Sequence, residues 1–297
     1  MTSEDVDRAL TEDRSLVITW LNRGTLHLVR SEDYPWLHLL TAPSIVTANA
    51  RRLRQEGVTA AAAERGVALI SRSLAIDGPQ TRLELGRRLA ASRIRVEGQA
   101  LVHLLLLASL RGLIVGGPLV GGRQAFALRS DWLGKPTPVA RERALAELAR
   151  RFLAGHGPAT DRDLAYWSGL ALREARAGLR AISSEVVDRG DGLASLKGAS
   201  ASRAVPAARL LGSFDPVLFG WTSRDAILGA DAPAVVAGGT FRPFAIVGGR
   251  AAATWSLRAG KVELKPLRPL STSEASALDA EKKDVLRFLS VRGSHPA

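Results

Sequence analysis

Three arginines are spaced along one predicted helix so that their side chains form a single basic stripe. The helix is expected over Leu172–Ile182, and Arg173, Arg176 and Arg180 occupy positions i, i+3 and i+7. Residues at these separations share a helix face, and guanidinium groups bind phosphate oxygens bidentately. The stripe therefore suits contacts to a phosphate backbone, although an ordinary solvated helix face would show the same pattern.

A second group of polar residues lies on a predicted β-hairpin near the N-terminus. Two short apolar runs, Leu16–Trp20 and Leu26–Val29, flank the turn dipeptide Arg23-Gly24, which is typical of a hairpin. The second arm alternates, so Thr25 and His27 share the face opposite its leucines. A solvated turn arginine and a hydrogen-bonded sheet histidine are equal alternatives to a functional role for Arg23 and His27.

Two further candidates lie in the last third of the chain. Asp215, in Ser213-Phe214-Asp215-Pro216, would either point into a cleft or cap the turn before the proline. The cap is favoured because aspartate prefers turn starts beside proline. Arg242, between Phe241 and Pro243, is a candidate phosphate contact, with a solvated surface charge as the equal alternative.

Composition excludes several kinds of site. The chain has no cysteine and only five scattered histidines, so we expect no disulfide, no metal site and no cofactor. The glycine-rich run Gly116–Arg123 lacks the Gly-Lys-Ser/Thr ending of a phosphate-binding loop and lies between predicted strands. The longest apolar run, Leu101–Leu110, is shorter than the ~20 residues that cross a bilayer. We therefore expect no membrane partner and a cytoplasmic protein.

The charge of the chain favours a polyanionic partner. Its 41 lysines and arginines outnumber 29 acidic residues, for a net charge of +12, and the pI is near 11.1. A basic pI is typical of nucleic-acid-binding domains, although a coding bias toward arginine would also raise it, because only six of the 41 cations are lysine. A nucleic acid is the partner that this charge favours.

The same order of elements is predicted twice in the middle of the chain, which indicates an internal repeat. The two blocks align at Gly78-Pro79-Gln80-Thr81 and Gly157-Pro158-Ala159-Thr160, 79 residues apart. In each block three helices precede paired strands, the order of a winged helix. The predicted helices are Thr59–Ala75, Arg82–Ser92 and Glu97–Arg111, then Pro138–Ala154, Arg162–Gly169 and Leu172–Ile182.

We expect four segments. Residues 1–57 form a partial winged-helix module, with one short helix before the hairpin and another from Ser31-Glu32-Asp33 through Leu40. Residues 58–133 and 134–200 form the second and third modules. The second exposes only Gln99, His103 and Arg111 on its third helix, so the third module is the stronger candidate for DNA contact. A small-residue linker at 198–208 leads to a β-rich domain over 201–297, closed by a helix at Ser273–Leu289.

The order of these motifs resembles a winged-helix DNA-binding family that includes the AlkZ-like DNA glycosylases, enzymes that remove alkylated bases and unhook interstrand crosslinks. The resemblance implies an α+β fold of tandem winged-helix modules, followed by a small antiparallel β domain and a C-terminal helix. It also implies that the partner is double-stranded DNA of the nucleoid, and that Arg23, Thr25 and His27 face a cleft and this DNA. The matching residues are Trp20-x-x-Arg23-Gly24-Thr25-Leu26-His27-Leu28-Val29, Ser31-Glu32-Asp33-x-x-Trp36, Tyr166-Trp167-Ser168-Gly169-Leu170, Ser213-Phe214-Asp215-Pro216, Phe241-Arg242-Pro243 and Thr254-Trp255.

The family's water-positioning motif does not carry over. That motif, Gln-apolar-Gln or Gln-apolar-Asp, lies upstream of the hairpin in the family, whereas Met1–Asn22 contains no glutamine. Gln80, Gln99 and Gln124 lie in other modules and lack the spacing. No residue is therefore assigned as catalytic, and His27 and Asp215 are the candidates for a cleft.

Three functional classes follow from the sequence. The first is a repair glycosylase acting on alkylated or crosslinked bases, the second a DNA-binding or regulatory protein without chemistry, and the third a winged-helix scaffold for protein assembly. A scaffold would bury its basic stripes at an interface, which costs desolvation energy. Charge and resemblance favour the first two classes.

Overall fold

The structure, a computed structural model, describes residues 2–135, 138–199 and 207–290. Two compact units divide the chain: the first unit contains 5–149 and 168–182, and the second contains 2–4, 150–167 and 183 onward. The helices are α1 Ser3–Thr11, α2 Tyr34–Gln55, α3 Ala60–Asp77, α4 Arg82–Ala91, α5 Ala100–Leu110, α6 Arg129–Leu133, α7 Arg141–His156, α8 Asp161–Ser168, α9 Leu172–Ala181, α10 Asp225–Leu228, α11 Ala232–Val235 and α12 Thr272–Ser290.

The strands form antiparallel sheets within each unit. They are β1 Leu16–Leu21, β2 Thr25–Arg30, β3 Gln80–Thr81, β4 Ile114–Val120, β5 Arg123–Leu128, β6 Val186–Gly190, β7 Leu193–Leu196, β8 Arg209–Leu211, β9 Val236–Ala237, β10 Thr240–Phe241, β11 Phe244–Val247, β12 Arg250–Arg258 and β13 Lys261–Pro266. Within the described residues, the helices lack the combination of length and apolar character that crossing a membrane requires.

The hairpin predicted at Arg23-Gly24 is confirmed, and it belongs to a larger sheet. β1 pairs with β2 and, through Ile18 and Gly116, with β4, which gives the strand order β2-β1-β4-β5-β3. A Cβ on Gly116 would lie 3.3 Å from the Ile18 carbonyl oxygen and 2.6 Å from Gln124 Nε2. Glycine at this position therefore permits the close pairing of β1 and β4.

The expectation that the glycine-rich run Gly116–Arg123 lies between two strands was wrong, because β4 continues through most of it to Val120. The cause is the partner strand β1, which the local sequence does not reveal. Strands from residues 1–57 and 58–133 thus share one sheet, and the boundaries expected at 57, 133 and 200 stay predictions.

The helix expected to end at Leu40 continues to Gln55, through Pro43. Proline has no N–H to donate to the carbonyl four residues earlier, here that of Leu39. The guanidinium of Arg141 donates to that Leu39 oxygen at 3.0 Å. The buried side of α2 also continues beyond the proline, so the helix persists despite the missing bond.

The core of the first unit is built around α5. Nearly every side chain of this helix is buried, including Leu104 at 0% and Leu105 at 1% exposure. Asn49 of α2 also holds it: the Asn49 amide donates to the His103 carbonyl, and Asn49 Oδ1 lies 2.7 Å from His103 Nδ1. A helix enclosed in this way contributes packing rather than a binding surface.

The two copies of the predicted repeat share local geometry at the start of the second helix. Thr81 accepts from the Glu84 amide while the Glu84 carboxylate accepts from the Thr81 amide. Thr160 and Asp163 make the same reciprocal pair, so Thr160 caps α8, which begins at Asp161. The residue before each threonine bridges to the second strand of its own hairpin, Gln80 to Phe126 and Ala159 to Ala194.

The second unit contains the small antiparallel sheet that was predicted. Its strand order is β13-β12-β11-β8, and α12 covers it through Leu278, which is fully buried with Ala245 and Ala253. The predicted final helix is therefore confirmed. Most of the predicted linker, residues 200–206, lies outside the described part of the chain.

Candidate nucleic-acid interface

The hairpin turn presents Arg23 to solvent on a fixed support. Asn22–Gly24 form a single 3₁₀ turn in which Arg23 has φ 58°, a left-handed conformation unusual for a residue with a side chain. A Cβ on Gly24, which has φ +80°, would lie 3.3 Å from Ile45 Cγ2 of α2. The turn thus lies against α2, while the side chain of Arg23 is exposed.

The side chains of Thr25 and His27 form a hydrogen-bonded pair beside this turn. Thr25 Oγ1 donates to the Asn22 carbonyl at 3.1 Å and lies 2.9 Å from His27 Nε2. The contact holds the imidazole beside the turn. His27 therefore has the structural role that was the alternative to a functional one.

His27 is half-buried, and its surroundings favour the neutral form. Burial lowers the pKa of His27 below its usual value, a backbone contact with Asn22 raises it, and the charge of Arg23 lowers it again. Leu26 and Leu28, on the opposite face of β2, are 54% and 52% exposed. The apolar face of this arm is therefore the more exposed one, and β2 lies at the edge of its sheet.

The loop between α8 and α9 lies directly against the hairpin turn. Gly169, with φ +73°, is so close that an added Cβ would lie 2.9 Å from Arg23 Cγ and 3.2 Å from the Arg23 amide nitrogen. Both residues belong to the first unit. The structure thus brings together two regions that the sequence indicated separately.

Two contacts within the first unit fix α9 in place. A Cβ on Gly178 would lie 2.6 Å from the Leu145 carbonyl oxygen of α7, so the two helices approach with no side chain between them. Arg141, which donates a hydrogen bond to the Leu39 carbonyl, also forms an ion pair with Glu174 on α9. One guanidinium therefore joins the proline position of α2 to α9.

The opposite face of α9 carries the arginine stripe. Arg173, Arg176 and Arg180 are all exposed, whereas Ala175 and Gly178 are buried. The helix is therefore amphipathic in the predicted sense, with small residues inside and guanidinium groups outside. This arrangement leaves three cations on one surface, where they can approach an anion without being desolvated by the protein.

The remaining candidates lie in the second unit and have structural contacts. Asp215 Oδ1 accepts from the Val217 amide at 3.0 Å, which is the cap that the sequence favoured. Arg242 is exposed, and its guanidinium donates to the Ala234 carbonyl at 3.4 Å. Within the described ranges, no group of three or more His, Asp or Glu side chains is placed to hold a metal ion.

Comparison with known proteins identifies the family. The sequence profile of the AlkZ-like DNA glycosylases matches residues 1–288. The chain belongs to the AlkZ-like family. It is 28% identical, over 311 aligned positions, to the interstrand DNA cross-link repair glycosylase of Streptomyces sahachiroi, and the match covers 96% of this chain and 81% of that protein.

A solved structure shows the same fold. The DNA glycosylase AlkZ of Streptomyces sahachiroi superposes with a TM-score of 0.76 at 24% identity, covering 97% of this chain and 82% of that one. The mixed helical and antiparallel architecture expected for an AlkZ-like protein is therefore confirmed.

The sequence did not indicate the residues that position the hairpin turn and α9. Arg141, Gly169 and Gly178 carry no recognisable motif for this role, although Gly169 lies in one of the family motifs. For Arg141 the one available signal is Pro43 inside a long helical pattern. A proline there leaves a carbonyl without its usual N–H donor, so another donor must approach it.

Proposed function

We propose that this AlkZ-like chain binds double-stranded DNA through a surface formed by the hairpin turn and α9. We define this hairpin–α9 surface by Arg23, Thr25, Arg173, Arg176 and Arg180. The observation that carries the proposal is the contact between Gly169 and Arg23, which places the loop before the arginine helix against the hairpin turn. Both elements then approach one ligand together, as a helix and hairpin do in a winged-helix module.

Electrostatics supports a polyanionic ligand of low sequence specificity. The stripe on α9 offers guanidinium groups to phosphates, and phosphate contacts carry no sequence information. The net charge of +12 adds long-range attraction, which raises association rates at low salt. Such a protein binds chromosomal DNA in the cytoplasm with little preference for sequence.

The substrate class that we propose is DNA with alkylated or crosslinked bases. The Streptomyces sahachiroi relative is a cross-link repair glycosylase, and the shared family supports the same lesion class here. A purine alkylated at N7 or N3 already carries a positive charge in the DNA and takes the electrons of the glycosidic bond to leave as a neutral base. Its departure therefore needs no added proton, and removal depends mainly on positioning water at the sugar carbon.

The described residues offer limited means for that step. Asp215 is engaged with a backbone amide, and residues 1–22 contain no glutamine. His27, whose pKa is lowered by burial so that the neutral imidazole is favoured, is the remaining candidate base. We therefore propose tight binding of damaged DNA with slow base release by these 297 residues, which makes a DNA-binding protein without chemistry the second candidate function.

Fluorescence anisotropy with a labelled duplex tests the binding proposal. Affinity measured from 50 to 300 mM salt should fall steeply, because each neutralised phosphate contributes about 0.9 to the logarithmic slope. Two unrelated sequences should give affinities that differ only slightly. Binding that does not change with salt, or is undetectable at low salt, would contradict the proposal.

Base release from duplexes with a single N7-alkylguanine tests catalysis. Loss of general-base assistance is typically worth ~10²–10⁴-fold, so release should stay near the rate without protein. Fast release by the wild type that disappears in a His27→Ala variant would instead make the chain a glycosylase using His27. An Asp215→Asn variant run alongside would show whether the second cleft candidate contributes.

A further inference from the structure

Phe214 combines backbone strain with exposure of an aromatic ring. Its φ is 58°, in a region that bulky residues rarely adopt, and 54% of its surface is exposed. Strain and exposure both oppose stability, since a glycine or asparagine would relieve the first and a polar residue the second. A phenylalanine in this position therefore indicates a role other than packing.

The turn that carries Phe214 is held firmly on both sides. Asp215, the next residue, caps the following 3₁₀ turn by accepting from the Val217 amide. The ring of Phe214 lies 5.2 Å from that of Phe241, and Phe241 in turn lies 4.7 Å from Phe219. The exposed ring of Phe214 thus packs against an aromatic cluster, Phe241 and Phe219, within the second unit.

Arg224 holds that aromatic cluster in place. Its guanidinium lies 5.3 Å from the centre of Phe241 and donates to Tyr166 at 2.6 Å and to the Leu218 carbonyl at 2.8 Å. Because these groups are already ordered, a ligand that meets Phe214 loses little additional side-chain entropy on binding. The site is preorganised.

The residues around Phe214 indicate which class of ligand its ring contacts. Arg242 follows Phe241 directly and is exposed, as are Gly212 and Ser213. A protein partner would need a wider apolar surround, as interface hot spots have. A nucleotide instead needs one stacking ring and one nearby cation, because every base has a π face and every phosphate a charge.

We propose that Phe214 stacks on an unpaired base of bound DNA, while Arg242 contacts a phosphate beside it. The ligand class is therefore a base that has left the duplex stack, which damaged or mismatched positions supply more readily than intact pairs. The inference rests on the DNA binding proposed above and adds a preference for disrupted duplex.

The test compares two labelled duplexes, one fully paired and one with a single unpaired adenine. The wild type should bind the second more tightly, and Phe214→Asn should lower this preference by at least about fivefold, since stacking is worth ~1–3 kcal/mol per base. Asparagine tolerates a positive φ, so the variant keeps the turn. Phe214→Trp should retain the preference, because it keeps a stacking ring.

Two further variants separate the inference from loss of fold. Phe214→Gly removes both ring and strain and should match Phe214→Asn. Leu257→Ala, which truncates another exposed apolar side chain of the same unit (45% exposed), should leave the preference unchanged. Thermal unfolding of each variant checks that the fold is intact.

The outcomes distinguish this inference from the proposed function. Equal affinity of the wild type for both duplexes, or an unchanged preference in Phe214→Asn and Phe214→Gly, would overturn the role of Phe214 and leave salt-dependent DNA binding in place. Absence of salt-dependent binding to either duplex would overturn both.

Discussion

Two helices at the same position of the repeat have opposite surroundings. α5 and α9 each follow a capped second helix and precede a hairpin, yet Leu104 and Leu105 of α5 are buried whereas Arg173 and Arg180 of α9 are exposed. One copy of the element builds the core of the first unit, and the other presents charge. Equivalent positions in a repeat therefore do not imply equivalent functions.

The difference arises from what each helix packs against. α5 is enclosed by α2, α3 and the five-stranded sheet, so an apolar sequence such as Leu104-Leu105-Leu106-Leu107 is stabilising along its whole circumference. α9 packs on one side only, where Gly178 meets the Leu145 carbonyl of α7. The remaining surface is then available for guanidinium groups, which are costly to bury.

The largest effect is expected from truncating α5. Leu104→Ala should lower the free energy of unfolding by about 2–5 kcal/mol, through lost burial and the cavity left behind. The salt dependence of DNA binding by the folded fraction should not change. Denaturant titration with anisotropy of the same samples measures both quantities, and an altered salt slope would contradict the assignment of α5 to the core.

Charge reversal on α9 should have the opposite effects: DNA binding should weaken while the free energy of unfolding stays the same. The triple variant Arg173→Glu, Arg176→Glu, Arg180→Glu should bind duplex DNA on the order of 10²-fold more weakly, with the salt slope reduced by roughly one per lost contact. Its stability should change little. As a matched control, the same change at exposed Arg82, Arg87 and Arg123 of the first unit should have a much smaller effect on affinity.

A pair of glycine substitutions tests the close packing of α9. Gly178→Ala forces a Cβ within 2.6 Å of the Leu145 oxygen, so α9 must shift; overpacking of this kind costs about 1–3 kcal/mol. DNA affinity should fall with it. Gly155→Ala in α7 meets nothing within 4 Å and should instead stabilise by about 0.5–1 kcal/mol. Similar effects at both sites would contradict the role of Gly178.

The smallest effect concerns the pH dependence of stability at the hairpin. The pKa of His27 is lowered in the folded state from 6.5, so the unfolded chain binds more protons below that pH. The contribution of His27 to the free energy of unfolding should be complete above pH 6.5, and it should be lost as the pH decreases through the folded pKa. Burial also lowers the pKa of His38 and His156, so His27→Gln should remove only part of this slope in unfolding titrations from pH 5 to 7.5.

Local features of the fold were predictable, and contacts between distant segments were not. The threonine caps, the hairpin turn and the exposed arginines follow from residue types and spacing within short windows. The continuation of α2 past Pro43 depends on Arg141, 102 residues from the carbonyl it satisfies, and no local pattern encodes that. The contact of Gly169 with Arg23 and the strain at Phe214 also arise from tertiary structure, so the interface was predicted as separate parts.

The most direct test of the hairpin–α9 surface is site-specific crosslinking. The chain contains no cysteine, so single cysteines can be labelled with a photoreactive maleimide without background. Arg23→Cys and Arg180→Cys should both crosslink to duplex DNA in low salt, while Leu83→Cys on α4, where the native side chain is 49% exposed, should not. Crosslinking from Leu83→Cys with none from the other two would contradict a single surface made of the hairpin turn and α9.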